Sequence, residues 1–227
     1  DTANGSASVC AKEIFTRLGA KCHMLSDTPN GVNINLNCGS THPEELMAFV
    51  KANKLDLGVA FDGDADRMLA VDENGNLVDG DKIIAICAAQ MKQDGKLAKN
   101  TAVVTVMSNM GFFKFCEEND IKCAKTAVGD RYVLERMLQK GYNIGGEQSG
   151  HVIFLDYATT GDGELSAVKL IETIVKSGAT LGSLAKIMTV YPQVLINVPV
   201  TPQGKLKYNN DEYIILSLIH ISEPTRR

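Results

Sequence analysis

Three aspartates at alternate positions, Asp62, Asp64 and Asp66, constrain this chain more than any other feature of its sequence. Carboxylates this close repel one another, and each raises the pKa of its neighbours unless a positive charge lies among them. A divalent cation removes that repulsion, and hard carboxylate oxygens suit Mg²⁺. The run lies between the apolar segments 57–61 and 68–71, which we predict to be short buried strands. The sequence therefore predicts a magnesium loop at a strand end, where α/β proteins usually bind ligands.

The residues alone leave three other interpretations of this acidic loop. A solvated turn would also be rich in Asp and Gly, but turns seldom carry three alternate aspartates between apolar strands. A calcium loop would use the aspartates at positions 1, 3 and 5 and Glu73 at position 12, but Arg67 replaces its glycine at position 6 and its flanks should be helices. An aspartyl-nucleophile phosphatase would use Asp62 as nucleophile beside Asp64, and it leaves the polar loop 145–151 unexplained.

A magnesium site for phosphoryl transfer gives Arg67 a purpose, because a guanidinium can contact phosphate oxygens and offset developing charge. Residues 58–67 read Gly-Val-Ala-Phe-Asp-Gly-Asp-Ala-Asp-Arg. This run resembles the metal-binding loop of the α-D-phosphohexomutases. The resemblance favours magnesium-dependent phosphoryl transfer over the other interpretations of the loop.

A second dense motif, 145–151, reads Gly-Gly-Glu-Gln-Ser-Gly-His. Glu147 can accept hydrogen bonds from sugar hydroxyls, and Ser149 can donate or accept them. His151 would either contact phosphate or satisfy a local backbone group. The motif resembles the sugar-binding loop of the same family, in the branch that acts on an amino sugar. Three further segments fit that branch: 37–44, 126–133 and 159–164.

The resemblance runs from about residue 1 to about residue 200 and implies the middle two domains of a four-domain enzyme. The implied reaction interconverts glucosamine 6-phosphate and glucosamine 1-phosphate through a phosphoserine, in a domain that this chain lacks, and a bisphosphorylated sugar. Glucose and mannose phosphates remain alternative substrates, because the hexoses differ at C2. We expect the isolated chain to be inactive, since the phosphoserine is missing.

The same resemblance assigns roles to individual residues. The implied ligands of Mg²⁺ are Asp62, Asp64 and Asp66. Arg67 is the implied catalytic residue, stabilising the charge of the transferred group. The implied substrate-binding residues are Glu147, Ser149, His151 and Arg131. Arg131 could instead form only a surface ion pair.

Composition limits the partners of the chain. A net charge of −4 and a pI near 5.6 argue against a nucleic-acid surface. No apolar run approaches ~18 residues, so we expect no membrane helix. Six cysteines without Cys-x-x-Cys spacing indicate neither a zinc nor a redox motif, and free thiols suit a reducing cytosol. The expected partners are a phosphosugar and the remaining domains of the parent enzyme, in the cytoplasm.

Helical and strand-like patterns alternate along the chain. They predict an α/β fold of two consecutive domains with mixed, largely parallel sheets flanked by helices. With the family as a guide, we place the metal loop in domain 1–79 and the sugar loop in domain 80–189. Residues 190–227 would lead toward an absent fourth domain, with a possibly non-native tail from about residue 216. Residues 22–25 are a further predicted strand.

Overall fold

The computed structural model describes residues 1–194, 199 and 201–204. The chain divides into a compact unit of residues 1–191 and a second unit from Pro192 onward. The predicted tail from about residue 216 lies outside the described residues. Among the helices that the structure does describe, none combines the length and apolar character needed to cross a bilayer.

The first sheet holds the metal loop. Its strands are antiparallel in the order β1-β2-β3, with Leu57 opposite Asp72 and Phe61 opposite Met68. The strands are β1 (Leu57–Phe61), β2 (Met68–Asp72) and β3 (Leu77–Val78). The helices that precede this sheet in the chain are α1 (Ala11–Arg17) and α2 (Glu44–Asn53).

The second sheet has the order β5-β4-β6-β7. Strand β4 pairs in parallel with β5 and β6, whereas β7 is antiparallel to β6. The strands are β4 (Thr101–Thr105), β5 (Lys122–Thr126), β6 (Ile144–Gly146) and β7 (Val152–Phe154). The helices are α3 (Gly80–Gln93), α4 (Met110–Glu118), α5 (Asp130–Lys140), α6 (Gly163–Ser177) and α7 (Leu181–Leu184).

The sequence explains why these elements form where they do. Strand β4 reads Thr-Ala-Val-Val-Thr and all of it is buried, as expected for a central strand of a parallel sheet covered by helices. Asp79 caps the start of α3 and Asp162 caps the start of α6, because their carboxylates accept from unpaired amides of the first turn. Helix α5 ends at Gly141, whose φ of 65° is the left-handed conformation that closes many helices.

The predicted α/β class, with mixed sheets and flanking helices, is confirmed. The parallel pairings lie in the second sheet, and the described pairings of the first are antiparallel. The predicted strand at 22–25 is wrong. The backbone carbonyl of Leu25 accepts a hydrogen bond from the amide of Thr2 at 3.1 Å, but no strand ladder forms there.

One large apolar core joins the two sheets. It contains Phe61 and Met68 of the first sheet together with Ile84 of α3, Phe112 of α4 and Phe154 of β7. Close-packed side chains of this kind resist displacement, so the two sheets hold the loops at their edges in a fixed relation. The placement of the domain boundary near residue 79 stays a prediction.

Candidate functional site

The metal loop is the connection between β1 and β2. It turns back on Asp62, whose backbone carbonyl accepts from the amide of Ala65 at 3.1 Å and whose Oδ1 accepts from the amide of Arg67 at 3.2 Å. The turn brings one carboxylate oxygen each from Asp62, Asp64 and Asp66 within 4.8 Å of one another. Three clustered carboxylates are the hard oxygen donors that Mg²⁺ prefers, so the residues present fit this metal.

The charges of the loop are only partly balanced within it. Burial raises the pKa of the Asp62 carboxyl, repulsion from Asp66 and Asp64 raises it further, and the hydrogen bond from the Arg67 amide opposes these effects. The Nε atom of Arg67 lies 3.8 Å from both Asp62 Oδ2 and Asp66 Oδ1. A bound cation would remove the repulsion that these carboxylates exert on one another.

The loop is flanked by antiparallel strands on both sides. A calcium loop of the EF-hand type lies between two helices, so the fold around Asp62 to Arg67 is not that of an EF-hand. Asp64 and Arg67 are exposed, whereas Asp62 is buried and Asp66 is half-buried. The loop therefore has an open side on which a ligand can approach.

The sugar loop is the tight turn between β6 and β7. The amide of Glu147 donates to the carbonyl of His151, and the amide of Gly150 donates to the carbonyl of Glu147, both at 3.0 Å. The carbonyl of Gly150 accepts from the amide of Met68 at 3.1 Å. Because Met68 directly follows Arg67, the sugar loop is joined by its backbone to the end of the metal loop.

The two predicted sugar ligands are in different surroundings. Glu147 is half-buried, and its Oε1 accepts from the backbone amide of Gly129 at 3.0 Å. This bond ties the sugar loop to the segment that precedes α5. Ser149 is exposed at the tip of the turn. Both residues lie in the loop that adjoins the metal loop.

His151 is buried between the two loops and is only 3% exposed. Its Nε2 accepts a hydrogen bond from the amide of Gly161 at 3.1 Å, so that nitrogen carries no proton. The ring proton is thereby assigned to Nδ1, which lies 3.2 Å from Asp66 Oδ2. His151 therefore contacts a candidate metal ligand and a backbone amide, and Asp130 Oδ2 lies 4.0 Å from its Nε2.

Arg131 lies in the first turn of α5. Its Nε is 2.8 Å from Glu135 Oε1, and the Arg131 side chain is 79% exposed. The structure thus has this residue in the surface ion pair that the sequence left open as an alternative. Such exposed pairs are weak, so the side chain can exchange its partner at small energetic cost.

The sequence did not indicate two residues that hold these loops, Gly161 and Asp79. Gly161 lies within the segment 159–164, which resembles the family, but nothing in the sequence pattern indicated its hydrogen bond to His151. Asp79 was not singled out, although its Oδ2 accepts from the side chain of Gln148 at 3.2 Å. An Asp before a helical pattern signals an N-cap, and the second bond became visible only in three dimensions.

Two domain matches identify the family. Residues 1–75 match the phosphoglucomutase/phosphomannomutase alpha/beta/alpha domain II, and residues 79–191 match domain III. The chain belongs to the phosphoglucomutase/phosphomannomutase family. The resemblance inferred from the two loops is thereby confirmed, and it covers both sheets of the fold.

Relatives of this family are similar along nearly the whole chain. The phosphoglucosamine mutase of Brevibacillus brevis is 53% identical over 223 residues, which are 98% of this chain and 49% of that protein. The chain thus spans about half the length of the curated relatives that it matches.

Solved structures of the family share the fold. An N-acetylglucosamine-phosphate mutase of the α-D-phosphohexomutase superfamily has a TM-score of 0.73 and 20% identity, covering 99% of this chain and 53% of that one. The Aspergillus fumigatus N-acetylphosphoglucosamine mutase in complex with GlcNAc-6P and magnesium has a TM-score of 0.67 and 21% identity, covering 84% and 45%. At these identities the likeness concerns the fold.

Proposed function

We propose that this chain is the metal-binding and sugar-binding half of a phosphosugar mutase that interconverts glucosamine 6-phosphate and glucosamine 1-phosphate. The observation that carries the proposal is the direct contact of the two loops, through His151 and Asp66 and through Gly150 and Met68. A site for phosphoryl transfer on a sugar needs a cation and sugar-binding groups side by side. The Brevibacillus brevis relative, of which this chain covers 49%, is a phosphoglucosamine mutase, and this similarity favours the amino sugar as substrate.

In this proposal Asp62, Asp64 and Asp66 hold Mg²⁺. The bound cation would supply Lewis-acid stabilisation of charge on the phosphoryl oxygens. The magnesium in a structural relative of the same fold supports this choice of metal. The His151 ring restrains Asp66 through the 3.2 Å contact between Nδ1 and Oδ2, so that the carboxylate is oriented before the cation binds.

Arg67 is the proposed catalytic residue. Arg67 directly follows the acidic run and its side chain is 45% exposed, so its guanidinium can reach phosphate oxygens beside the cation. Charge that develops on the transferred group would be stabilised by this preorganised donor. The phosphoryl group would be exchanged with a serine of the parent protein that lies outside this chain.

Glu147 and Ser149 are the proposed contacts to sugar hydroxyls. The bond from Gly129 fixes one oxygen of Glu147 and thereby the direction of the carboxylate. Ser149 is exposed and can donate or accept. Arg131 would contact phosphate after leaving Glu135, and His151 would contribute to substrate binding through the position of the loop that it anchors.

The proposal extends to compartment and partners. All six cysteines lie within the described residues and are unpaired thiols, which supports a cytoplasmic location. The remaining domains of the parent enzyme are the proposed protein partners, since the chain covers 49% of its relative. The net charge of −4 supports a role without nucleic acid.

A chimeric enzyme tests the proposal. The segment of the Brevibacillus brevis relative that this chain matches would be replaced by this chain, and the formation of glucosamine 1-phosphate would be followed by phosphorus NMR. We expect turnover in Mg²⁺, with kcat/KM about tenfold or more above that for glucose or mannose 6-phosphate. The isolated chain should show none.

The control is the same chimera carrying Asp64→Asn, which should be inactive while keeping the circular dichroism spectrum of the folded protein. A folded chimera without turnover on any hexose phosphate would contradict the mutase assignment. Turnover that prefers glucose or mannose phosphate would keep the reaction and overturn the amino-sugar substrate.

A further inference from the structure

The start of α3 lies against the sugar loop, and one side chain serves both elements. Asp79 Oδ1 accepts from the amide of Lys82 at 3.1 Å, which is the ordinary bond of a helix N-cap. Its Oδ2 accepts from Nε2 of Gln148 at 3.2 Å. An N-cap needs only the first of these bonds, so the second is a separate tie between the helix and the loop.

The backbone of α3 also touches the loop at Gly80. Its amide donates to the carbonyl of Gln148 at 3.0 Å. A Cβ at Gly80 would lie 2.1 Å from the carbonyl oxygen of Glu147 and 2.7 Å from the amide nitrogen of Gly150. Both neighbours are backbone atoms that a side chain cannot displace cheaply, so this contact requires glycine.

The opposite side of the loop rests on the first sheet. Gly150 has a φ of 97°, and its carbonyl accepts from the amide of Met68 at 3.1 Å. A Cβ at Gly150 would lie 2.4 Å from the carbonyl oxygen of Met68. The turn is therefore held between α3 and β2, with the Gln148 side chain directed to α3.

We propose that Asp79 and Gln148 are positioning residues for the sugar loop, and this rests on the proposed phosphosugar mutase function. Gln148 lies between Glu147 and Ser149, the two proposed sugar contacts. Fixing its side chain on Asp79 restricts the backbone rotations that would swing either neighbour away from the substrate. The Asp79–Gln148 bond thereby presents both sugar contacts in one arrangement before the substrate arrives.

Substitutions at position 79 separate this role from helix capping. Asp79→Ser keeps an N-cap of comparable quality, but the shorter side chain does not reach Gln148. Asp79→Asn keeps the cap and can restore the tie, because its amide can donate to Gln148 once the glutamine amide is rotated. Asp79→Ala loses both. Gln148→Leu removes the same tie from the loop side and leaves the cap untouched.

Amide hydrogen exchange on the 227-residue chain measures the positioning without any substrate. We expect Asp79→Ser and Gln148→Leu to accelerate exchange in residues 147–151 about fivefold, the effect of losing one hydrogen bond, while residues 82–93 exchange as in the unaltered chain. Asp79→Asn should restore slow exchange in the loop. Asp79→Ala should accelerate exchange in both segments.

Unchanged exchange at 147–151 in Gln148→Leu would overturn the positioning role, leaving Asp79 as a helix cap. The chimeric enzyme adds a kinetic measurement: Gln148→Leu should raise KM for glucosamine 6-phosphate about fivefold and change kcat less than about twofold. An unchanged KM there, in an active chimera, would also overturn the role. A chimera that is inactive even without these substitutions would contradict the mutase function but not the positioning role, because the exchange measurement needs no catalysis.

Discussion

The Nδ1 atom of His151 lies 3.2 Å from Oδ2 of Asp66, so a histidine of the sugar loop is in polar contact with a carboxylate of the metal loop. The other ring nitrogen accepts from the amide of Gly161 at 3.1 Å, which fixes the ring on both sides. Carboxylates that bind metals are commonly oriented by such outer partners. The contact thus links the two halves of the proposed active site through one buried side chain.

Replacing the ring of His151 should weaken metal binding. His151→Phe keeps an aromatic ring but has no donor for Asp66, and we expect the affinity for Mg²⁺ or Mn²⁺ to fall about tenfold. His151→Asn places an amide donor near the position of Nδ1 and should recover much of the affinity. Calorimetric titration of the isolated chain measures both, and equal affinities for His151→Phe and the unaltered chain would refute the link.

The acidic loop itself is tested at its exposed member. Asp64→Asn removes one anionic ligand without disturbing a buried contact, and Mg²⁺ binding should be largely lost in calorimetry. Asp56→Asn is the matched control, since Asp56 is also exposed and precedes the other end of β1. Binding that survives Asp64→Asn would exclude the loop as the metal site, and nanomolar Ca²⁺ affinity would favour a calcium-binding module instead.

Asp81, in the first turn of α3, should make the stability of the fold depend on pH. The side chain is fully buried, and its Oδ2 accepts from the amide of Asn109 at 2.6 Å. Burial raises the pKa of the Asp81 carboxyl from 3.8 to about 6, and repulsion from Asp79 adds to this, while the Asn109 amide opposes it. The folded state therefore binds this proton more tightly than the unfolded chain does.

Because the pKa of Asp81 is raised in the folded state, its contribution to the free energy of unfolding is fully present below about pH 4. That contribution is lost as the pH rises through about 6. Asp81→Asn cannot ionise and keeps an acceptor for Asn109. The free energy of unfolding of Asp81→Asn relative to the unaltered chain should thus rise by about 2–3 kcal/mol between pH 4 and 7. Denaturant titrations across this range decide the matter, and parallel pH profiles for the two proteins would contradict it.

The sequence was sufficient for features that depend on neighbouring residues. The acidic run between two apolar segments predicted a loop between strands, and that loop joins β1 and β2 in the structure. The strand predicted at 22–25 failed because a short segment becomes a strand only when a partner completes its ladder, and Leu25 makes a single such bond with Thr2.

Contacts between segments that are distant in the chain could not be predicted from the sequence. The contacts of His151 with Asp66 and of Asp79 with Gln148 depend on how the two sheets pack, which no local pattern encodes. Arg131 shows the same limit: the sequence left a ligand contact and a surface ion pair open, and the structure has the ion pair with Glu135. A motif indicates which functional groups are present, and tertiary packing decides which of those side chains lie close together.

The central claim is that the metal loop and the sugar loop face one active site, and steady-state kinetics of the chimeric enzyme test it most directly. Arg67→Ala should lower kcat for glucosamine 6-phosphate by about 10²-fold or more, because a preorganised donor to the developing charge is lost. Arg67→Lys should recover little, since a point charge does not reproduce the guanidinium fork. Glu147→Ala should also raise KM, whereas Glu147→Gln keeps an acceptor for Gly129 and should raise it less. A near-normal kcat for Arg67→Ala together with an unchanged KM for Glu147→Ala would show that the two loops do not serve one site.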